Sequence, residues 1–245
     1  MTTPSSELPT YEALRESGQV VTPSVDFLRL RWYFKGPIEA SIHVLEDATD
    51  PTSAQTPYQA TVTTTSPDSQ THQIIQEHEI SSSSITEPPV SSIKVTIQAL
   101  NVWGSMWEDA HEPEENDSAV WVDDDPEGER KLIQCCGEDR PYYKSSPPSC
   151  LVKASGESKP YVTIHDYITT VHPWMAALED DIRRAKGVNR GVPVRKSAGM
   201  FVANTQLTPL LIKDELGATP ASLASNWKIV ASLASKIKDS TLRAQ

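Results

Sequence analysis

Two runs of alternating apolar residues near the N-terminus constrain the fold more than any other feature of the sequence. In each run every second residue is apolar, and a Gly36-Pro37 pair separates the two runs. Period-two alternation indicates half-buried strands, and the short break between them predicts an antiparallel pair. The apolar positions are Leu28, Leu30, Trp32 and Phe34 in the first run and Ile38, Ala40, Ile42 and Val44 in the second.

Several other segments have the composition or spacing of strands. The clearest is residues 93–99, in which apolar side chains again alternate. Residues 47–57 and 87–92 are rich in Pro, Ser, Thr and Asp, so we expect long connections there. The expected strands cover residues 60–65, 73–85, 93–99, 131–136, 150–154, 200–203 and 210–213.

The region after residue 160 has the signals of helices. Thr163 is followed three residues later by Asp166, which is the spacing of a capping box, and an apolar stripe follows. We therefore predict a helix that begins at Thr163. Pro173 lacks the amide hydrogen that a helix interior needs, so it predicts a kink or a restart, with the second helix ending at Gly187.

A long terminal helix is predicted over residues 219–242. Thr219 is its expected cap and Pro220 its first residue. Its apolar residues, spaced four, three, four and three positions apart, form one seam of Leu223, Trp227, Val230, Ala234 and Ile237. The seam needs an apolar surface, which the N-terminal strands can supply. The alternative is a homo-oligomer in which this helix pairs across a symmetry axis.

These patterns together predict an α+β fold. We expect an antiparallel β-sheet from the N-terminal two thirds of the chain, largely residues 21–154, with the C-terminal helices packed on one face. Residues 1–20 are expected to form a flexible segment, and residues 21–245 a single domain with an acidic loop at 104–130. The apolar fraction is only 38%, and 19 Pro exceed 10 Gly, which fits long irregular connections.

The composition predicts an intracellular protein, in the cytoplasm or the nucleus. Three cysteines, of which Cys135 and Cys136 adjoin and the third is Cys150, do not make a disulfide framework. Residues 1–21 are polar where an exported protein would carry an apolar stretch, and no window is long enough to span a bilayer. The sequence therefore predicts no membrane contact.

The negative charge of the chain is concentrated in one segment. Residues 108–129 contain eleven acids and no Lys or Arg, while the whole chain has 33 acids and 22 basic residues. The net charge of −11 therefore equals the charge of this segment alone. The acids are Glu108, Asp109, Glu112, Glu114, Glu115, Asp117, Asp123, Asp124, Asp125, Glu127 and Glu129.

This acidic segment predicts a basic protein surface as the partner. Trp103, Trp107 and Trp121 flank or interleave the acids, and aromatic anchors beside charge are typical of interfaces, although buried core tryptophans give the same pattern. Nucleic acid is not expected, because its phosphates bind Lys and Arg. The expected contact residues are Trp107, Glu108, Asp109, Glu112, Glu114, Glu115, Asp117, Trp121, Asp123, Asp124 and Asp125.

Two other interpretations of the charged residues are weaker. The basic cluster within residues 183–196 could fold against the acidic segment as an electrostatic clamp, but a solvated helix end and loop explain it equally well. Asp123, Asp125, Glu127 and Gly128 match part of a calcium-binding loop, but its twelfth position is Gln134 where a bidentate Glu is required. We expect no metal site and, lacking any phosphate-binding or Cys-x-x-Cys motif, no cofactor.

An enzyme is the alternative to an interaction module. His165 and His172 lie seven residues apart on the predicted helix, and Cys135 or Cys136 could supply a thiol in a cleft between sheet and helices. No local motif of a common enzyme class surrounds them, and helix capping and packing account for this region as well. The leading hypothesis is therefore a non-catalytic interaction module that uses the acidic, Trp-flanked segment.

One stretch resembles other sequences. Residues 161–174 read Tyr-Val-Thr-Ile-His-Asp-Tyr-Ile-Thr-Thr-Val-His-Pro-Trp. This stretch is similar to a segment of uncharacterised fungal proteins. The resemblance implies no activity, cofactor or partner for the chain, because the proteins that carry the segment have none to transfer.

Overall fold

In a computed structural model, residues 8–65, 71–111, 118–123, 130–156, 159–214 and 220–243 are described. The α-helices within these residues are α1 (Tyr11–Glu16), α2 (Val25–Leu28), α3 (Ile38–Ser41), α4 (Gln98–Asn101), α5 (Trp103–Ala110), α6 (Ile164–Ala177), α7 (Glu179–Gly187) and α8 (Pro220–Arg243). The first strands are β1 (Thr22–Pro23), β2 (Leu30–Tyr33), β3 (Ile42–Leu45), β4 (Gln55–Pro57), β5 (Gln59–Thr65), β6 (Thr71–Glu77) and β7 (Thr86–Glu87). They are followed by β8 (Ser92–Val95), β9 (Val120–Asp123), β10 (Arg130–Cys135), β11 (Glu138–Asp139), β12 (Cys150–Lys153), β13 (Met200–Ala203) and β14 (Leu211–Asp214). Short 3₁₀ helices cover Glu79–Ser82 and Val188–Arg190.

The largest sheet has five antiparallel strands in the order β14-β13-β2-β3-β4. Trp32 of β2 pairs with Ile42 on one side and with Val202 on the other, so the two alternating runs supply adjacent central strands. A three-stranded antiparallel sheet has β10 between β9 and β11, and two-stranded sheets pair β5 with β6, β1 with β7 and β8 with β12. The predicted α+β class and the pairing of the two runs are confirmed, and the C-terminal third adds β13 and β14 to the sheet.

The five-stranded sheet is covered by a helix on each face. Alternation in β2 directs Trp32 and Arg31 to opposite faces. On one face the indole Nε1 of Trp32 donates to Nδ1 of His172 in α6, over 3.0 Å. On the other face the Arg31 guanidinium lies 4.1 Å from the ring centroid of Trp227 in α8. The sheet therefore lies between α6 and α8, whereas the sequence suggested helices on one face only.

The terminal helix α8 buries its seam within its own chain. Trp227, Val230, Ala234 and Ile237 form a hydrophobic cluster with Leu28, Ala48 and Phe201, apart from the large core around Trp32. The homo-oligomer through this helix stays a prediction, and it would have to use the outer side of α8, where Ile229 is exposed. Thr219 lies outside the described residues. No helix in the described ranges has the length and apolar character needed to cross a membrane.

Helix α6 confirms one prediction and corrects another. The Thr163 hydroxyl accepts from the Asp166 amide over 3.1 Å, and the Thr163 amide donates to the Asp166 carboxylate over 2.9 Å, which completes the predicted capping box. The predicted restart at Pro173 is wrong, because α6 continues through it to Ala177, while the kink stays a prediction. Buried side chains of His172 and Met175 hold the helix on both sides of the proline, so packing outweighs the missing hydrogen bond.

Three segments differ from the sequence prediction. Residues 11–16 form α1, capped by Thr10 and anchored by buried Leu14, where a flexible segment was expected. Both alternating runs begin with helical residues. Leu28 is the last residue of α2, which Ser24 caps, and residues 38–41 form α3, which starts after Pro37. Part of the expected acidic loop at 104–130 is regular structure instead, since α5 extends to Ala110, β9 covers Val120–Asp123 and β10 begins at Arg130.

Candidate functional site

A cleft of about 290 Å³ opens beside helix α5, at the start of the acidic segment. Helix α5 forms one wall, the turn between β10 and β11 forms a second, and the end of α7 with the loop after it forms the third. Three separate parts of the chain therefore meet in this cleft, which we call the α5 cleft. The side chains that line it include Trp103, Trp107, His111, Cys136, Glu138 and Asp139.

The first wall of the α5 cleft is aromatic. Trp103 and Trp107 lie one helical turn apart and so share a face of α5, and both are largely buried. The His111 ring stacks on the Trp107 ring with centroids 4.2 Å apart, and its Nδ1 donates to the Trp107 carbonyl over 2.6 Å. The indole Nε1 of Trp107 is buried without a hydrogen-bond partner. This wall therefore combines an apolar surface with an unused N–H donor.

The second wall carries two carboxylates. Glu138 and Asp139 are exposed on β11, and the Asp139 carboxylate accepts from the Gln134 side-chain amide over 2.9 Å. Within the described part of the chain, no ion pair involves either acid. Their charge is therefore available to a ligand in the cleft.

An ion pair holds this second wall against α5. The Arg140 guanidinium, in the chain just after β11, lies 2.8 Å from the Glu108 carboxylate, and both side chains are mostly buried. Arg140 also donates to the Leu132 carbonyl of β10 over 3.3 Å. Glu108, predicted as a partner contact, is thus used inside the fold to join the hairpin to α5.

The third wall requires a glycine at the end of α7. A Cβ atom on Gly187 would overlap the carbonyl oxygen of Val192, so only glycine lets the chain after α7 fold back this closely. On the same wall the guanidinium of Arg184 lies 5.4 Å from the ring centroid of Trp103. This is the contact that a cation makes with the face of an indole ring.

The basic cluster packs mainly on its own neighbourhood. Buried Arg183 bonds to Glu179 and to the carbonyl oxygens of Arg195 and Ala198. Lys186 pairs with Asp214 over 3.1 Å. Arg184 reaches α5 through Trp103, but no described ion pair links this cluster to the acidic segment. The electrostatic clamp stays a hypothesis for the acids outside the described residues.

Only some of the predicted partner contacts can be placed. Trp107 lines the α5 cleft, Asp109 is exposed on α5, and Trp121 is half-buried on β9. Asp123 lies 3.6 Å from Arg130, which also approaches the Trp121 ring at 5.7 Å, so this pair closes the β9–β10 hairpin. The predicted contacts outside the described residues are Glu112, Glu114, Glu115, Asp117, Asp124 and Asp125.

The predicted histidine and cysteine candidates are not gathered at one site. His172 is buried in the core, where Nδ1 accepts from Trp32 and Nε2 donates to the Gly36 carbonyl over 2.8 Å. His165 pairs with Glu77 over 2.8 Å. Cys136 lines the α5 cleft, whose lining includes neither histidine. His172 is therefore a fully hydrogen-bonded core residue, and the α5 cleft does not contain the Cys-His pair of the sequence hypothesis.

The other two thiols are shielded, and the calcium-loop fragment lies mostly outside the described residues. Cys135 is buried at the end of β10, and burial raises the pKa of its thiol. Burial likewise raises the pKa of Cys150. The described residues contain no group of three His, Cys, Asp or Glu side chains that could hold a metal ion, and of the calcium-loop fragment only Asp123 is described.

Sequence reasoning missed His111, Glu138, Asp139 and Arg184 as members of this site. His111, Glu138 and Asp139 look like ordinary surface residues in the sequence, because no motif surrounds them, and Arg184 was noted only as a member of the basic cluster. The one usable signal was the pair Trp103 and Trp107, whose four-residue spacing marks a shared helix face. What brings the other residues to that face is the packing of distant segments.

The comparisons with known proteins do not add to this geometry. No protein-family model, no curated protein and no solved structure matches the chain.

Proposed function

We propose that the protein is a non-catalytic interaction module that binds a basic segment of a partner protein at the α5 cleft. The observation that supports this is an aromatic wall containing Trp107 that faces two exposed acids, Glu138 and Asp139, without a cation on either acid among the described residues. A Lys or Arg side chain complements such a cleft. Its aliphatic stem packs on aromatic rings while its charged end reaches a carboxylate.

The charge of the neighbouring sequence supports the same class of partner. Glu112 follows His111 directly in the chain, and residues 112–117 contain four acids and no basic residue. A negative field beside the cleft accelerates the arrival of a basic partner and disfavours acidic ones. Long-range charge would thus select the partner, and the buried aromatic wall would supply the short-range contact that holds it.

An enzymatic use of the cleft has less support. Cys136 and His111 both line it, but the His111 ring is stacked on Trp107 and its Nδ1 proton is donated to a backbone carbonyl. His165 and His172 have partners elsewhere in the fold. No observation favours a particular reaction.

The proposal is tested with two labelled peptides of equal length, one rich in Lys and Arg and one with Asp and Glu in the same positions. Fluorescence anisotropy gives the affinity, and tryptophan emission reports contact with the cleft. We expect only the basic peptide to bind, and the variant Glu138→Gln/Asp139→Asn to bind it about tenfold more weakly, or about 1.4 kcal/mol. Raising the salt concentration should weaken binding further, because these acids are exposed.

The matched control is Glu16→Gln/Glu46→Gln, which removes the same charge from exposed acids outside the cleft. Its affinity for the basic peptide should stay within about twofold of the native protein, since neither acid lines the cleft and salt screens exposed charges. Equal binding of both peptides would contradict the proposal. So would an unchanged affinity in the Glu138→Gln/Asp139→Asn variant when its melting temperature equals that of the native protein.

A further inference from the structure

Two cysteines that adjoin in the sequence also touch in space at the edge of the α5 cleft. The Sγ atoms of Cys135 and Cys136 lie 3.4 Å apart. Neighbouring side chains of a regular strand point to opposite faces, so contact between these two sulfurs requires the chain to leave the strand conformation between them.

The turn between β10 and β11 supplies that change of direction. Cys135 pairs with Glu138, so Cys136 and Gly137 form a two-residue hairpin loop. Both have positive φ, 55° at Cys136 and 82° at Gly137, as a type I′ turn requires. Asn, Asp or Gly is usual at the first of these positions, and a cysteine there is uncommon. A backbone outlier of this kind is a reason to ask what the side chain does.

The two thiols differ in access. Cys136 is exposed and lines the cleft, whereas Cys135 is fully buried directly behind it. An accessible thiol with a second thiol in contact is the arrangement in which oxidation of the first is resolved by the second. Cys150, on β12, is half-buried and pairs with Val95 of β8, away from this turn.

We propose that Cys135 and Cys136 form an oxidative modification site that reacts with peroxides and closes a disulfide between adjacent residues. In the first step the Cys136 sulfur attacks hydrogen peroxide, the O–O bond breaks, and Cys136 becomes a sulfenic acid as water leaves. In the second step the Cys135 sulfur attacks the Cys136 sulfur, and the S–O bond breaks. The hydroxyl group leaves as water with the Cys135 proton. Two thiols and one peroxide thus give one disulfide and two waters.

Closing this disulfide would also alter the α5 cleft. The Cys136 side chain would turn from the cleft lining towards Cys135, and the turn that carries Glu138 and Asp139 would change with it. Oxidation would therefore change the affinity for a basic segment. This consequence rests on the proposed function, whereas the modification site itself does not.

The reaction can be followed on one peptide of the full-length protein. Lys131 and Lys144 flank both cysteines, and trypsin does not cleave the Arg140-Pro141 bond, so digestion releases Leu132–Lys144 with the pair intact. After treatment with hydrogen peroxide and digestion without reductant, mass spectrometry should show this peptide lighter by two hydrogen atoms. Dithiothreitol should restore its mass. A peptide that only gains oxygen, or that becomes crosslinked to Cys150 or to a second chain, would overturn the proposal.

Variants separate the two steps. In Cys135→Ser, Cys136 should stop at the sulfenic acid and be trapped by dimedone. In Cys136→Ser, Cys135 should stay reduced at the same peroxide dose, because it is buried. Cys150→Ser should form the disulfide as the native protein does. Trapping of Cys135 in the Cys136→Ser variant, with its melting temperature unchanged, would contradict the assigned order.

The peptide-binding assay on native and oxidised protein then separates this inference from the proposed function. Loss of two hydrogens with unchanged binding of the basic peptide would support the modification site and contradict its coupling to the cleft. Loss of two hydrogens in a protein that binds no basic peptide would support the site and contradict the proposed function alone.

Discussion

Buried polar side chains in this protein divide into those with partners and those without. Asp166 accepts from Ser155 and from Thr163, and although burial alone would raise its pKa, these hydrogen bonds hold the pKa below the ordinary value of 3.8. Arg31 is equally buried, yet its Nε and one terminal nitrogen have no hydrogen-bond partner. Burial lowers the pKa of Arg31 to about 10. A buried cation without an anion is therefore a weak point of the fold.

Replacing this cation should stabilise the protein. We expect Arg31→Met to raise the free energy of unfolding by about 1–2 kcal/mol, because an apolar side chain of similar length removes a buried charge that has no anionic partner and can still pack on Trp227. Arg29→Met is the matched control, since Arg29 bonds to the Leu45 carbonyl and to Asp26, and it should lower stability by about 1–2 kcal/mol. Urea denaturation measures both changes. Equal destabilisation by the two substitutions would show that Arg31 is compensated after all.

Helices of this chain begin and end where the local sequence predicts, provided that the tertiary packing favours the same residues. The capping box starts α6 at the predicted residue, while Pro173 fails to end it because buried side chains on both sides fix the helix. Helix α8 has an apolar seam that packs on one face of the sheet, and Trp227 at the centre of the seam contacts Phe201 with ring centroids 5.5 Å apart. The stability of α8 should thus depend on one face only.

Substitutions on the two faces of α8 test this dependence. Trp227→Ala should lower the free energy of unfolding by about 3–4 kcal/mol, because it leaves a cavity between α8 and the sheet. Ile229→Ala, two residues away on the exposed face, should change it by less than about 0.5 kcal/mol. Chemical denaturation followed by circular dichroism measures both. A large loss in Ile229→Ala would instead indicate that the outer face of α8 is covered, for example by a second copy.

The stability of the whole molecule should fall in alkaline solution. Burial raises the pKa of Tyr58, Tyr142 and Tyr167 above the ordinary value of 10, and Tyr142 also donates to Asp181. Above about pH 10 the unfolded chain releases these protons while the folded protein keeps them, so the free energy of unfolding decreases as pH rises. Arg31 has the opposite effect on the free energy of unfolding, since its lowered pKa lets the folded protein release this proton at a lower pH than the unfolded chain does. The three tyrosines outnumber this one arginine.

The variant Tyr58→Phe isolates one of these contributions. The Tyr58 hydroxyl is buried without a hydrogen-bond partner, so its removal should cost little at pH 7. The ordinary tyrosine pKa is about 10, so the effect should be visible between about pH 9 and 11. Over this range the free energy of unfolding should fall less in the variant than in the native protein. Urea denaturation at each pH gives the comparison. Parallel pH dependences in the two proteins would show that Tyr58 titrates outside the folding equilibrium.

The sequence by itself determined the local elements of this protein. Alternating apolar residues specified β2 and β3 as partners, a Thr163-Asp166 pair specified the start of α6, and the spacing of the α8 seam specified its buried face. These features follow from residues within a few positions of one another, because strand alternation, capping and helical periodicity are short-range effects. The α+β class followed from their order along the chain.

Only the tertiary structure decided where the functional candidates lie. It placed Trp107, Glu138 and Arg184 around one cleft and put His172 in the core, and no local pattern in the sequence predicts either placement. It also decided that α8 covers a second face of the sheet, above Arg31. The physical reason is that these contacts join segments far apart in the chain. Their formation depends on how whole apolar faces pack, which no short-range pattern encodes.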